Sequence, residues 1–130
     1  VYGWIVVKPI TYTVGDWLLS GTAGAAGILS TTGTPKLSLN AGSSVAENTG
    51  ATLNAYHIIE YLINGAGSYM SVDGAAQTTG NAGAGNPGGA SLFSDNAGLN
   101  FGNYQAKEWI IRSAAQASVQ PLLKAIYGTP

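Results

Sequence analysis

The sequence contains no cysteine and few charges, with five Lys or Arg and six Asp or Glu among 130 residues. Without cysteine, a disulfide scaffold and a thiolate metal site are both excluded. The charged fraction of 8% is well below the ~25% typical of soluble domains. A net charge of −1 argues against a protein that binds nucleic acid mainly by neutralising phosphates, because each phosphate contact uses a cation.

Long hydrophobic runs are also missing. The longest, Trp4–Val7, is far shorter than the ~20 apolar residues that a transmembrane helix needs. The sequence therefore predicts no transmembrane segment. It opens with Val1 rather than an initiator Met and shows no signal segment, so a processed N-terminus is one alternative for this start.

Small and aromatic residues are abundant. The chain has 19 Gly, is 45% apolar, and includes three Trp and seven Tyr. Disordered segments combine low hydrophobicity with high net charge, which does not describe this chain. Its length fits one hydrophobic core, so we predict a single domain over residues 1–130.

The first 14 residues are rich in β-branched and aromatic types and predict a strand that is interrupted at Pro9. Because proline cannot donate to a ladder, we expect an edge strand or two short ones. Asp16 is a candidate N-cap for a short helix that begins at Trp17. The polar–apolar alternation of Lys36–Leu39 predicts a further strand.

Two helices are predicted in the second half of the chain. Over residues 52–63, apolar side chains recur at three- and four-residue spacing, and Asn64-Gly65 supplies a stop. Residues 104–127 are rich in helix formers and are expected to kink near Pro121 and to end at Gly128. Together with the N-terminal strand region, these helices predict an α+β fold.

A glycine-rich segment, residues 65–103, separates the two predicted helices. It carries no charged residue between Asp73 and Asp95. Structureless loops of this length are uncommon in compact domains. We expect an ordered arm, with a covered loop or a set of short strands as the alternatives.

His57 and Glu60 form the most evident candidate for chemistry, since on a helix they would lie one turn apart. A zinc-binding helix needs a second His, and the sequence contains only one. We therefore expect His57 to be a structural or interface residue and predict no catalytic, cofactor-binding or metal-ligating residues. A small hydrolase using His57 and Glu60 is kept as an alternative.

The composition favours a non-enzymatic structural subunit that self-assembles into an extracellular filament, a surface layer or a virus coat. Few charges need solvation, small residues let backbones approach, and Trp and Tyr are common interface anchors. A small binding module that stacks ligands on Trp or Tyr is the other alternative. The candidate assembly residues are apolar or aromatic: Trp4, Ile5, Val6, Val7, Trp17, Tyr69, Phe93, Phe101, Trp109 and Tyr127.

The expected partner is a second copy of the chain, in a homo-oligomer or helical polymer. The predicted location is extracellular, at a cell surface or in a virion. Nucleic acid is expected only as a weak multivalent contact, because three cations per subunit become many in a polymer. Those cations are Lys107, Arg112 and Lys124.

Overall fold

The computed structural model describes residues 1–22, 26–45 and 47–130, and these form two antiparallel β-sheets and one α-helix. The five-stranded sheet has the order β7-β6-β5-β1-β9, and the four-stranded sheet has the order β4-β3-β2-β8. A 3₁₀ turn covers Gly65–Gly67. The strands are β1 Tyr2–Pro9, β2 Trp17–Ser20, β3 Ala26–Ser30, β4 Leu37–Ala41, β5 His57–Leu62, β6 Ser68–Val72, β7 Thr78–Gly80, β8 Ser91–Leu92 and β9 Tyr104–Arg112, and the helix is α1 Val119–Tyr127.

Strand β1 lies inside the five-stranded sheet, between β5 and β9, so the expectation of an edge strand is wrong. Its side chains alternate between two cores. Ile5 and Val7 face the second sheet, whereas Trp4 and Val6 face the helix-covered side with Leu123 of α1. A strand that is buried on both faces needs an unbroken apolar run, and Pro9 ends it.

The prediction of a helix over residues 52–63 is wrong, because the ordered element there is β5. Ile59 and Tyr61 pack in the core between the sheets, and Ile58 packs under α1. Burial on both faces produces apolar residues at every spacing, including the spacing of a helix. The β-branched and aromatic content of the segment is the signal that favours a strand.

The second predicted helix, residues 104–127, is also wrong over most of its length. Its first part is β9, and only Val119–Tyr127 is helical. Pro121 is the third residue of α1, in the first turn, where a missing N–H breaks no intrahelical bond. Gly128 closes the helix as predicted, with φ of 63° and an N–H that donates to the Lys124 carbonyl at 2.9 Å. The fold is therefore mostly β rather than α+β with two main helices.

The glycine-rich segment 65–103 contains the 3₁₀ turn and strands β6, β7 and β8, so the alternative of short strands describes it better than an arm. The predicted helix after Asp16 is wrong, since Trp17–Ser20 form β2. The predicted strand near Lys36–Leu39 is confirmed as β4. Among the described residues, no helix is long and apolar enough to cross a membrane.

The two lateral edges of the sandwich are built differently. At the closed edge, where β4 meets the chain after β7, the Ala82 carbonyl accepts from the N–H groups of Ala41 (2.5 Å) and Ser43 (3.0 Å). Asn48 Nδ2 also donates to Thr78 Oγ1 at 3.1 Å. At the open edge, formed by Trp109–Arg112 of β9, a cavity lies between the sheets instead.

Candidate functional site

The candidate assembly residues do not form one surface. Trp4, Ile5, Val6 and Val7 are fully buried in β1 and belong to the core of the folded monomer, and Trp17 is also buried. Tyr69, Phe93, Trp109 and Tyr127 are half-buried. Phe101 alone in this set is fully surface-exposed, at 67%.

Strand β9 presents a long edge. Within the part of the chain that the structure describes, it pairs only with β1, which leaves its other side without a strand partner. The half from Gln105 to Glu108 carries two of the three charged residues of β9 and lies at a register shift opposite Val6/Val7. Charges and bulges are features that discourage edge pairing. The half from Trp109 to Arg112 contains the apolar residues Trp109, Ile110 and Ile111, of which Ile111 is exposed and the other two are half-buried.

Several exposed apolar residues were missing from the predicted set. Ile111 in β9 is 43% exposed, and Leu122 and Ile126 lie one turn apart on the outer side of α1. Val14 and Leu99 are exposed near Trp17, whose N–H donates to the Asn100 carbonyl at 3.1 Å. The spacing of Leu122 and Ile126 was a sequence signal for a helix face. The predicted set missed these residues because it favoured large aromatics.

The cavity at the open edge has a volume of about 510 Å³. Its walls come from both sheets, with Leu19 and Ala26 on one side and Ile63, Trp109 and Ile111 on the other. The chain from Asn86 to Ala90 forms part of its rim. None of the described residues that line it is a Lys, Arg, Asp or Glu, and its polar groups include the Val1 amine, which donates to the Ile63 carbonyl, and the side chains of Ser20, Asn86 and Tyr61, so the cavity is mainly apolar.

Two hydroxyl residues, Ser20 and Tyr61, belong to the lining of this cavity, and the Ser20 hydroxyl already donates to the Gly21 carbonyl at 3.2 Å. The Trp109 Nε1–H donates to Tyr61 Oη at 2.9 Å, and the Tyr61 side chain as a whole is only 1% exposed. Burial raises the pKa of the Tyr61 phenol, which keeps it protonated. Tyr61 lies opposite Gly3 in the ladder, and a Cβ at Gly3 would fall 2.6 Å from Tyr61 Oη. The missing side chain at Gly3 therefore makes the space that this phenol occupies.

The rim segment, residues 86–90, packs closely against Gly21, which directly follows β2. A Cβ at Gly21 would overlap the backbone of Pro87, so only glycine permits this approach. A second cavity of about 460 Å³ shares Val1, Ile63, Asn86 and Pro87 with the first and continues along the Gly83–Gly85 backbone. The apolar cavity thus leads into a more polar groove.

His57 is buried at the opposite end of β5 and is bound on both ring nitrogens. Its Nδ1 lies 2.6 Å from Asp73 Oδ2, and its Nε2 lies 3.1 Å from Thr52 Oγ1. Asp73 Oδ1 also accepts the Ile58 N–H at 2.8 Å. A hydroxyl, an imidazole and a carboxylate in this order are the groups that activate a nucleophile in hydrolases.

Two backbone donors near Thr52 are already used. The N–H of Thr52 donates to Gly50 at 3.0 Å, and that of Asn54 donates to Pro9 at 2.8 Å. A nucleophilic hydroxyl needs free donors beside it for the developing oxyanion. We interpret the His57 network as an anchor that holds the loop before β5 against Asp73, at the end of β6.

His57 and Glu60 do not form a pair. They are three positions apart on a strand, so their side chains point to opposite faces. Glu60 accepts from the hydroxyls of Tyr2 and, at 2.8 Å, Tyr69, on the helix-covered face. Among the described residues, no three His, Asp or Glu lie close enough to hold a metal ion.

Two of the three cations proposed to contact nucleic acid are engaged within the molecule. Lys124 Nζ donates to the Asp73 carbonyl at 3.0 Å. Lys107 Nζ lies 4.1 Å from the centre of the Tyr56 ring, which gives a cation–π contact. Weak contact of nucleic acid with Lys107, Arg112 and Lys124 stays a prediction.

Comparison of the chain with protein-family models, with curated proteins and with solved structures found no match.

Proposed function

We propose that this chain is a non-enzymatic structural subunit that self-assembles, through pairing of β9 edges, into an extracellular filament, a surface layer or a virus coat. The carrying observation is the nine-residue strand β9, which has one strand partner among the described residues. Edge strands with unpaired backbone groups pair readily with a second chain. The apolar half, from Trp109 to Arg112, is where that pairing would begin.

Two further surfaces support assembly beyond a pair of subunits. The exposed apolar residues Val14, Leu99 and Phe101 lie near Trp17, and Leu122 and Ile126 lie on α1. Both surfaces are formed by residues outside β9. A subunit with more than one apolar contact can build a chain or a shell, whereas a single self-complementary contact ends at a dimer.

The low charge of the chain is compatible with residence in such an assembly. Net charge of −1 gives a free monomer little electrostatic protection against association. A cysteine-free chain is also insensitive to disulfide exchange outside a cell. These properties favour the extracellular or virion location that the composition predicts.

The test is sedimentation velocity with electron microscopy of negatively stained protein, over a range of concentrations. Wild type is expected to sediment as oligomers or regular polymers. Ile111→Lys places a charge at the exposed apolar residue of β9 and is expected to shift the population to monomer. Ala76→Lys adds the same charge at an exposed loop residue and serves as the matched control. Wild-type protein that stays monomeric at the highest concentration would refute the proposal.

A further inference from the structure

We propose that the open-edge cavity binds a small neutral molecule with an aromatic or branched apolar body and one hydrogen-bond acceptor, to which the Tyr61 hydroxyl donates. This inference goes beyond assembly and does not depend on it. It rests on the interior of the sandwich rather than on the free side of β9.

The size and chemistry of the cavity match a ligand site. Pockets for small molecules commonly enclose ~300–1,000 Å³ and have mainly apolar walls with a few polar groups. This cavity encloses about 510 Å³ and is lined by Leu19, Ala26, Ile63, Trp109 and Ile111. No Lys or Arg side chain belongs to the described lining, and the Val1 amine that does line it already donates to the Ile63 carbonyl at 2.9 Å, so an anionic group would find no free side-chain cation there. The acceptor is therefore a neutral oxygen, such as that of a ketone, ester or ether.

Tyr61 carries a donor that the described residues do not use. Its oxygen accepts from Trp109 Nε1, and among the described residues no acceptor receives the Tyr61 O–H. A buried hydroxyl without an acceptor costs free energy, which an acceptor on a ligand would recover. The Trp109 bond also fixes the phenol oxygen, so the unused donor is already in position.

The cavity is formed before any ligand arrives. Gly3 makes room for the Tyr61 ring, and Pro87 at the rim packs directly on Gly21. Proline restricts the backbone of the rim. Walls that do not reorganise reduce the entropic cost of binding.

The experiment compares two probes by equilibrium dialysis, which works in any state of assembly. 2-Acetylnaphthalene carries a ketone, and 2-ethylnaphthalene has a similar shape without an acceptor. Wild type is expected to bind the ketone saturably and about five- to tenfold more tightly than the hydrocarbon, as for one recovered hydrogen bond. In Tyr61→Phe the hydrocarbon affinity is expected to stay the same while this preference falls, and the preference is expected to vanish in Tyr61→Phe/Trp109→Phe, which also removes the Trp109 Nε1–H that the first substitution leaves free.

The second part of the experiment fills the cavity with a larger side chain. Ala26→Leu is expected to weaken both probes at least tenfold, and Ile111→Trp, at the exposed mouth, provides an independent filling variant if Ala26→Leu does not fold. Ala76→Leu adds the same bulk on an exposed loop and is expected to leave both affinities unchanged. Equal binding of the two probes by wild type, no saturable binding, or unchanged binding in a folded filling variant would each overturn the proposal. Failure here leaves the sedimentation of wild type and Ile111→Lys unaffected, so the two proposals are tested separately.

Discussion

The two edges of the sandwich differ in how closely the sheets approach each other. At the closed edge, backbone groups of Ala41 and Ala82 join the sheets, and Gly83 allows the chain to cross without a side chain in the way. At the open edge, Trp109 and Ile111 stand apart from Leu19 and leave a cavity. The closed edge contributes rigidity, and the open edge keeps space and an unpaired strand. Of the two edges, only the open one combines a cavity with an unpaired strand among the described residues.

The largest expected effect breaks the closed edge. In Gly83→Ala, the new Cβ would overlap the Ala41 carbonyl, and the residue would keep a φ of 93°. We expect a loss of about 3–5 kcal/mol in the free energy of unfolding, since steric overlap adds to backbone strain. Gly42→Ala is the matched control, with a φ of 105° and nothing within 4 Å, and should lose only about 1–2 kcal/mol. Urea unfolding measures both, and equal losses would show that the crossing is not tightly packed.

Removing a polar side chain is expected to cost more free energy of unfolding at the His57 end of β5 than at the open edge. Asp73→Ala removes the partner of the buried His57 ring and of the Ile58 N–H, so we expect a loss of about 2–4 kcal/mol. Asp73→Asn keeps an oxygen acceptor and should lose less. Tyr61→Phe leaves only the half-buried Trp109 indole without its acceptor and should cost less than about 1 kcal/mol. Thermal unfolding ranks the three variants, and a larger cost for Tyr61→Phe than for Asp73→Ala would contradict the comparison.

A pair of neighbouring alanines tests the packing of the two edges directly. Ala26 and Ala41 face each other across β3 and β4, and both are buried, but only Ala26 lines the cavity. Ala41→Leu should destabilise by about 1–3 kcal/mol because it overpacks a filled core. Ala26→Leu should be neutral or stabilising, since its added atoms enter empty space. Chemical denaturation of both variants decides the matter, and equal destabilisation would mean that the cavity cannot accept atoms.

The smallest expected effect is a dependence of the folding stability on pH, to which Asp95 and Glu47 both contribute. Hydrogen bonds from the Leu99 N–H, the Asn100 amide and the Ala97 N–H lower the pKa of Asp95. The Thr31 hydroxyl and Lys36 lower the pKa of Glu47. A carboxyl with a lowered pKa stabilises the fold above its ordinary pKa, and this contribution is lost as the pH falls through the lowered value.

We therefore expect a mild loss of stability below pH ~4, which NMR titration of the two carboxyl groups and unfolding at several pH values would measure. Asp95→Asn and Glu47→Gln should each flatten that dependence. A pH profile that neither substitution changes would assign the acid sensitivity to other groups.

The sequence predicted features that depend on neighbouring residues, such as the end of a helix. It did not predict burial that depends on strands far away in the chain. Gly128 ends α1 because a residue with positive φ closes a helix, and β4 follows the alternation of Lys36–Leu39. The His57–Ile63 segment misled because its burial on two faces depends on β1, β6 and α1, which lie far away in sequence. An internal strand is apolar on both faces. Its sequence therefore lacks the two-residue alternation that would distinguish it from a helix.

The candidate site was predicted only in part. Trp109 belonged to the predicted set and does line the cavity, but Tyr61 did not, because its role depends on its register opposite Gly3. His57 was expected to be a structural or interface residue, but its partner Asp73 comes from outside the helix that the spacing predicted. Contacts between strands that are remote in sequence cannot be read from residue spacing.

The central place of β1 also governs when the chain can fold. Its neighbours are β5 and β9, so residues 2–9 must pair with residues about 50 and 100 positions further along the chain. The chain must lose the conformational entropy of closing loops of this length before the strands can pair, and this slows folding. On a ribosome, the apolar strand Tyr2–Pro9 emerges before both of its neighbours and acquires the second of them, β9, last. The nascent chain therefore carries an unshielded hydrophobic segment until β9 has been made, which makes this stage a natural point for chaperone binding.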